Sequence, residues 1–213
     1  MLPDMKPISF STPMVLAVRA DAKTKTRRVV KLPKWLAPLA TGRAWPDPGL
    51  GAGGYLKVEH RFPNEPIVAD PLAPDVAVER VRYTSAPGDL LYVREQIDRH
   101  ESGGICYRAD GAVHPDAEWV LRVVDVRVER LQAISEEDVE DEGVEFVPAT
   151  DENHPGGWRV VGSNDLCDFG WHAYSILWDH INGKRPGCSW AAGPWVWVVS
   201  FRRVLDAEVR SWR

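Results

Sequence analysis

The chain has 213 residues, of which 44% are hydrophobic and 27% are charged, which suits one soluble globular domain spanning residues 1–213. A formal net charge of −5 and a pI near 5.7 exclude a protein that gathers nucleic acid through its overall charge. Cys106, Cys167 and Cys188 lack a C-x-x-C pair, and no run approaches the roughly 18 apolar residues of a membrane span. We therefore expect a cytoplasmic protein without a membrane segment.

The first elements precede a strongly basic stretch. Residues 7–10 have strand composition, and Thr12-Pro13 predicts a helix with a hydroxyl cap that runs to about Ala20. Lys23 to Val30 is then expected to be extended. Side chains alternate along a strand, so one face would carry Lys23, Lys25 and Arg27, and the other Thr24, Thr26 and Arg28.

Two segments are predicted to be irregular insertions. Residues 31–80 carry many prolines and a glycine cluster, and residues 145–170 carry Pro148, Pro155 and Gly156-Gly157. Such punctuation disfavours long regular elements, so the first segment is interpreted as an elaborated loop that lies over a site.

Between the insertions, three successive strands are predicted at residues 90–95, 105–108 and 119–128. The apolar phase of the third slips near Val123-Val124, which predicts a β-bulge. Three strands in succession favour a largely antiparallel sheet or barrel within an α+β fold.

An acidic helix is the best specified element. Ser135 is placed to cap it, Asp138 stands where a capping-box acid belongs, and Gly143 ends it. Most of its six carboxylates are interpreted as a solvated face. An amphipathic helix over residues 171–182 and a strand at residues 194–201, covered on both faces, complete the pattern.

The basic stretch has two interpretations from the residues alone. It is either an exposed strand face that binds phosphate or nothing, or part of a catalytic site. No cofactor is indicated. His172, His180, Cys167 and Cys188 fit no usual zinc-ligand spacing, so no metal is expected.

Several segments in this order resemble the ASCH domain family of the PUA-like superfamily, in particular its phage and prophage branch. The resemblance rests on residues 8–14 leading to 23–28, on Gly88 to Glu95, on Val123 to Gly143, and on 177–184 leading to 194–198. It covers roughly half of the chain and implies a small mixed or antiparallel β-barrel flanked by helices. Relatives usually carry Gly where this chain has Asp21, at a helix end that favours positive φ.

The resemblance also implies an activity. One member type is the N(4)-acetylcytidine amidohydrolase, whose Lys-x-x-Thr and late-helix Glu match Lys23, Thr26 and Glu142. The implied roles are Thr26 as nucleophile, Lys23 as the base that activates it, and Glu142 as acid-base partner. Arg28 matches a nearby basic residue and is expected, with Arg27 and Lys25, to bind substrate.

Two alternatives stay open at this point. A non-catalytic reader would bind RNA or a modified nucleoside, using Lys25, Arg27 and Arg28 on phosphate and a Trp as stacking surface. An ASCH-type ribonuclease would use the same cleft. The sequence leaves the oligomeric state open.

Overall fold

The computed structural model of the chain describes residues 4–37, 40–47, 55–61, 76–99, 105–107, 120–150, 156–205 and 208. They form an α+β fold rich in β-sheet. The helices are α1 (Thr12–Arg19), α2 (Glu136–Asp141) and α3 (Gly170–Asn182). The strands are β1 (Met5–Ser11), β2 (Lys25–Val29), β3 (Ala40–Asp47), β4 (Tyr55–Arg61), β5 (Val76–Arg82), β6 (Leu90–Arg99), β7 (Ile105–Tyr107), β8 (Val120–Arg130), β9 (Val144–Val147), β10 (Gly157–Val160) and β11 (Trp195–Arg203).

A six-stranded mixed sheet forms the centre of the fold. Its strand order is β1-β6-β8-β11-β2, and β7 pairs with β6 outside that path. β1 runs parallel to β6, while the other neighbours are antiparallel. The mixed pairing was expected. The sheet runs from an edge at β1 to an edge at β2, so the closed barrel implied by the resemblance is absent from the described residues.

The prediction that residues 31–80 are irregular was wrong. This segment contains β3, β4 and most of β5, which form a second, three-stranded antiparallel sheet. Its glycine cluster and most of its prolines fall between the strands, whereas Leu56 and Val58 alternate along β4 and are buried. The prolines and glycines of this segment therefore mark the connections between strands, and they did not prevent the strands from forming. Because Leu56, Val58 and Val81 belong to the main apolar core, this sheet is part of the domain's body.

The second predicted insertion also contains regular structure. Residues 145–170 include nearly all of β9 and the whole of β10, which pair antiparallel through the register Val144↔Val160 to Val147↔Gly157. The rings of Phe146 and Trp158 meet edge to face across this pair, with centroids 5.4 Å apart. Residues 151–155, which include Pro155 of the predicted loop, lie outside the described residues.

The predicted β-bulge in β8 is confirmed. Ser200 of β11 lies opposite Asp125, whereas the next residue, Phe201, lies opposite Val123. Val124 is therefore the extra residue, and its side chain is exposed.

Strand β11 divides two apolar layers, as its predicted burial on both faces requires. Trp197, Val199 and Phe201 join the sheet-side core, a cluster that includes Ile8, Phe10 and the buried residues of β4 and β5. Val196 and Val198 join the helix-side core, which contains Val139 of α2 together with Ala173, Tyr174 and Trp178 of α3. Each residue of β2 thus faces one layer or the other through its partner on β11.

Two turns fix the ends of β2 and α2. Asp21, which follows α1, has φ +53°, in the left-handed region that favours glycine. Helix α1 begins at Thr12, so its N-cap is Ser11 and not Thr12 as predicted, and the Ser11 side chain makes no cap hydrogen bond. Ser135 caps α2 as predicted, its Oγ accepting from the amide of Asp138 at 3.2 Å, and Gly143 follows with φ +90°.

None of the helices within the described residues combines the length and apolar content needed to cross a membrane.

Candidate functional site

The alternation predicted for the basic stretch is observed along β2. Lys25 and Arg27 turn toward the layer that contains α2, where they bind carboxylates. Thr26 and Arg28 stand opposite Val199 and Trp197, whose side chains belong to the sheet-side core. Two faces of one short strand therefore carry different chemistry.

Lys23 lies just before β2 and forms a fully buried ion pair. Its Nζ donates to Glu142 Oε2 at 2.6 Å and to the Glu142 carbonyl oxygen at 2.9 Å. The two side chains are 0% and 2% exposed. Both hydrogen bonds that Nζ makes within the described part of the chain thus go to Glu142. Burial lowers the pKa of Lys23, a shift that Glu142 opposes and the nearby arginines reinforce.

The two chain segments that carry this pair are joined by main-chain contacts. Lys23 and Glu142 form an antiparallel bridge, and the Thr24 amide donates to the Asp141 carbonyl at 2.9 Å. The Thr24 hydroxyl also donates to Asp141 Oδ1 at 2.5 Å. The end of α2 is consequently fixed against the start of β2, which places Glu142 beside Lys23.

Arg27 is buried at the centre of a larger ionic cluster. Its Nη1 donates to Glu142 Oε1 at 3.2 Å, and its Nη2 donates to Glu129 Oε1 at 2.6 Å and to Asp138 Oδ2. Burial alone would lower the pKa of Arg27, but the charges of Glu142 and Glu129 outweigh it and raise that pKa. Arg27 therefore keeps its charge while touching three carboxylates.

Asp138 is the second centre of the cluster. Its carboxylate accepts from Lys25 at 2.6 Å and from both Arg27 and Arg127, and Lys25 also pairs with Asp141 at 2.7 Å. Burial would raise the pKa of Asp138, but its bonds to Lys25 and Arg27 prevail and lower it. Burial would lower the pKa of Lys25, but the hydrogen bonds that Lys25 makes to Asp138 and Asp141 outweigh that effect and raise its pKa.

The cluster is balanced in charge. Four basic side chains contact four acidic ones: Lys23, Lys25, Arg27 and Arg127 against Glu129, Asp138, Asp141 and Glu142. An anion that approached Lys25 or Arg27 would have to displace a carboxylate already bound. The described geometry thus gives these two predicted substrate-binding residues protein partners.

Thr26 and Arg28 differ from their neighbours. Thr26 is 4% exposed and lies opposite Val199, in the row that continues to Val126. Arg28 is half-buried, and its Nη2 donates to the Ser9 carbonyl oxygen at 2.8 Å. The Arg28 guanidinium lies 5.4 Å from the centroid of the Phe10 ring. Within the described residues, Arg28 binds a backbone carbonyl and a ring where Lys25 and Arg27 bind carboxylates.

Lys23 reaches the same aromatic ring. Its Nζ lies 5.9 Å from the centroid of Phe10, which is buried in the sheet-side core. Lys23 thereby connects the ionic cluster, through Glu142, with the side of β2 that carries Arg28. Thr26 is three residues along the chain, and its hydroxyl makes no hydrogen bond to Lys23 within the described residues.

Tyr174 completes the surroundings of Glu142. It is buried in the helix-side core on α3. Burial, together with the negative charge of Glu142, raises the pKa of Tyr174 well above its usual value. Its hydroxyl therefore stays protonated beside the carboxylate.

The structure decides between the two interpretations of the basic stretch only in part. It is not an exposed strand face, because Lys23 and Arg27 have buried side chains. On the acidic helix, Glu136, Glu137 and Glu140 are exposed, as predicted for most of its carboxylates, whereas Asp138 and Glu142 are buried in ion pairs. Burying an unpaired charge would be costly, and each of these buried side chains is therefore paired.

Sequence reasoning also missed four participants: Arg127, Glu129, Asp138 as an ion-pair partner, and Tyr174. Arg127 and Glu129 were recognisable in principle, since charged residues two apart within a hydrophobic strand face the same way. Their row partners on β11, Val198 and Val196, put them beside Arg27 and Val29. That register was not available from the sequence.

Hollows lie on the described surface beside β2 and beside β4. One of about 100 Å³ lies at the start of β2, where Lys23 and Thr24 line it together with Asp21 and Phe201. The larger, about 460 Å³, lies on β4 and β5 beside Lys57 and Arg80 and includes none of the predicted site residues. Within the described residues, no group of three or more histidine, cysteine or acidic side chains is arranged to hold a metal ion.

Comparison with known proteins gave no match to any family model, any curated protein or any solved structure.

Proposed function

We propose that this protein is an amidohydrolase that removes the acyl group from an N(4)-acylated cytidine such as N(4)-acetylcytidine. We propose further that it is an ASCH domain with a PUA-like fold, working in the reducing cytoplasm. The observation that carries the activity is the buried Lys23–Glu142 pair, at the two positions that match the Lys and Glu of such enzymes.

A buried lysine with a lowered pKa is the property that the reaction needs. Removing a charged pair from water costs free energy that a pair of apolar side chains would not cost. Burial of this kind, with a charged partner and a perturbed pKa, is typical of catalytic sites. An unprotonated lysine can accept a proton near neutral pH, whereas an exposed lysine seldom does.

The proposed reaction has two steps. Lys23 Nζ takes the proton of the Thr26 hydroxyl, Thr26 Oγ1 bonds to the acyl carbon, and the bond from that carbon to N4 of cytidine breaks as N4 receives the proton. Water then hydrolyses the acyl ester, which releases the carboxylic acid and frees Thr26. Glu142 orients Lys23 or passes the proton to the departing nitrogen. In the described contacts Lys23 Nζ binds Glu142 and not Thr26, so the step requires the Thr26 hydroxyl and Lys23 Nζ to come together when substrate binds, as catalytic hydrogen bonds commonly do.

The charge of the site favours a free nucleoside over an RNA strand. The ionic cluster around Arg27 is already neutral, so it offers no surplus positive charge to a row of phosphates. Arg28 is the basic residue of the stretch whose described contacts leave it free of carboxylates. One such cation beside the Phe10 ring suits a carbonyl or hydroxyl oxygen of a small ligand.

The experiment is to incubate the purified protein with N(4)-acetylcytidine and follow cytidine release by chromatography. Wild type should turn over, and Lys23→Ala should lose activity by at least about 10²-fold. Lys57→Ala is the matched control, because Lys57 is also salt-bridged, to Asp47 at 3.2 Å, but lies on β4. It should retain activity. A folded wild type that leaves excess nucleoside intact would rule this substrate out.

A null result in that assay would lead to the two alternatives. A reader should bind modified RNA with an affinity that falls steeply as salt rises, and a ribonuclease should cleave RNA. The proposed amidohydrolase should do neither, and its rate on the nucleoside should change little with salt.

A further inference from the structure

Arg27 makes a set of contacts that a substrate-binding residue would not need. It lies with a fully buried side chain between Glu142 on one side and Glu129 and Asp138 on the other. All three nitrogens of its guanidinium take part: Nη1 binds a carboxylate of the proposed site, and Nε and Nη2 bind the two carboxylates outside it. Protein groups thus fix the guanidinium in place.

We propose that Arg27 is a positioning residue: held by Glu129 and Asp138, it fixes the Glu142 carboxylate so that Oε2 stays on Lys23. This inference rests on the proposed function for its kinetic consequences. It replaces the substrate-binding role predicted for Arg27 from the sequence.

The division of the Glu142 oxygens carries the argument. Oε1 accepts from Arg27 Nη1 at 3.2 Å, and Oε2 accepts from Lys23 Nζ at 2.6 Å. A carboxylate bonded through both oxygens to groups on opposite sides cannot rotate about its own axis without breaking one bond. The planar guanidinium supplies donors in a fixed geometry, so it defines that orientation better than an ammonium would.

Arg27 also acts on Lys23 through charge. Both cations share one carboxylate. Burial lowers the pKa of Lys23, Glu142 opposes that shift, and the positive charges of Arg28 and then Arg27 lower the pKa further. Loss of the Arg27 charge should therefore raise that pKa, so that Lys23 carries its proton to higher pH. In an enzyme that needs unprotonated Lys23, the acidic limb of the pH profile would move upward.

Arg127 provides a natural control. It donates to the same Asp138 Oδ2 and to Glu129 at 3.2 Å, yet its described contacts do not include Glu142. Arg27→Gln and Arg127→Gln each remove one guanidinium from the same pair of carboxylates. They differ in whether the Glu142 carboxylate loses the guanidinium that binds it.

The experiment measures kcat and KM for N(4)-acetylcytidine against pH in Arg27→Gln, Arg27→Lys and Arg127→Gln. Arg27→Gln should lower kcat by about 10²-fold, with KM little changed, and move the acidic limb to higher pH. Arg27→Lys should keep the limb in place and recover part of kcat, and Arg127→Gln should resemble wild type. A rise in KM with an unmoved limb would overturn the proposal in favour of substrate contact.

A second readout separates this inference from the proposed function. In protein labelled with ¹³C at lysine Cε, the pKa of Lys23 is read by NMR titration without any substrate. Arg27→Gln should raise it and Arg127→Gln should not, even if N(4)-acetylcytidine is never turned over. If Arg27→Gln does not fold, Glu129→Gln, which loosens the hold on Arg27, is titrated in its place and should change the pKa of Lys23. An unchanged Lys23 pKa in the folded variant would refute the positioning role.

Discussion

The side chains on the two faces of β2 have different kinds of bonding partner. Toward α2, Lys25 and Arg27 meet carboxylates from α2 and β8, and every charge in that cluster has a partner. Toward the sheet-side core, Thr26 lies among apolar residues, and Arg28 bonds to a backbone carbonyl and lies over a ring. One face is internally satisfied, and the other keeps a hydroxyl and a cation without a bound carboxylate.

This difference gives the two faces of the basic stretch separate roles. The satisfied face acts as a fixed support, because breaking any of its bonds leaves a buried charge unpaired. Under the proposed function, the opposite face is the one that would contact a ligand. Lys23 belongs to both, since its Nζ binds Glu142 and lies 5.9 Å from the centroid of Phe10. Substitutions on the Thr26 face should accordingly change activity with little loss of stability, whereas those in the ionic cluster should also lower stability.

The largest effect is an expected loss of activity on the face of β2 that carries Thr26. Thr26→Val replaces the hydroxyl with a methyl group of nearly the same volume, so the fold should be kept while kcat on N(4)-acetylcytidine falls by at least about 10³-fold. Thr24→Val is the matched control. It removes the bond from the Thr24 hydroxyl to Asp141 on the supporting side and should leave most of kcat intact. Equal activity of Thr26→Val and wild type would mean that Thr26 is an ordinary strand residue.

The second-largest effect is an expected loss of stability when the ionic cluster beside β2 loses a carboxylate. Glu142→Gln should lower the free energy of unfolding by about 3–5 kcal/mol, because it leaves Lys23 and Arg27 without their shared buried carboxylate. Urea unfolding measures it. Glu145→Gln, which breaks the partly exposed pair between Glu145 and Arg159 on the β9–β10 hairpin, should cost less than about 1 kcal/mol. Similar losses in both variants would contradict the account.

A smaller loss is expected where the chain turns beneath Lys23. Gly143 and Gly162 have φ values of +90° and +86°, so Ala at either position is strained by about 1 kcal/mol. A Cβ on Gly143 would lie 3.2 Å from Ala17 Cβ and 3.8 Å from Lys23 Cβ, whereas one on Gly162 would meet nothing within 4 Å. Thermal unfolding should therefore find Gly143→Ala less stable than Gly162→Ala by about another 1 kcal/mol. Equal losses would show that the packing beneath Lys23 is loose.

The smallest effect is a change in acid sensitivity. The folded-state pKa of Asp138 is held below its ordinary value of 3.8. The group therefore contributes stability that is complete above pH 3.8 and is lost as pH falls through the lowered pKa. Urea unfolding of Asp138→Asn should depend less steeply on pH between about pH 5 and pH 2 than wild type. An unchanged slope would mean that other carboxylates dominate acid unfolding.

Local patterns predicted much of the fold. Alternation and capping residues located β1, β6, β8, β11 and α2, and a slip of apolar phase located the bulge at Val124. The alternation of β2 also predicted which basic residues share a face. These signals depend on neighbouring residues alone, so a sequence contains them in full.

The rest depended on pairing that no local pattern reveals. Residues 31–80 looked irregular because prolines and glycines were weighed over the whole segment, although they lie mainly between β3, β4 and β5. The acids of α2 look alike in sequence, and only the contact with β2 selects Asp138 and Glu142 for burial. The resemblance selected Glu142 as well. Asp138 and Glu129 had no such pointer.

The most direct test of the central claim is the pKa of Lys23 in the folded wild-type protein. The chain has seven lysines, so NMR titration of ¹³Cε-labelled lysine, with the signal of Lys23 assigned by its loss in Lys23→Met, can follow each one. We predict that Lys23 gives up its proton below the ordinary value of 10.5 and below Lys25, whose pKa is raised. A Lys23 that titrates at or above 10.5 would make the buried pair a permanent salt bridge and contradict its role as a base.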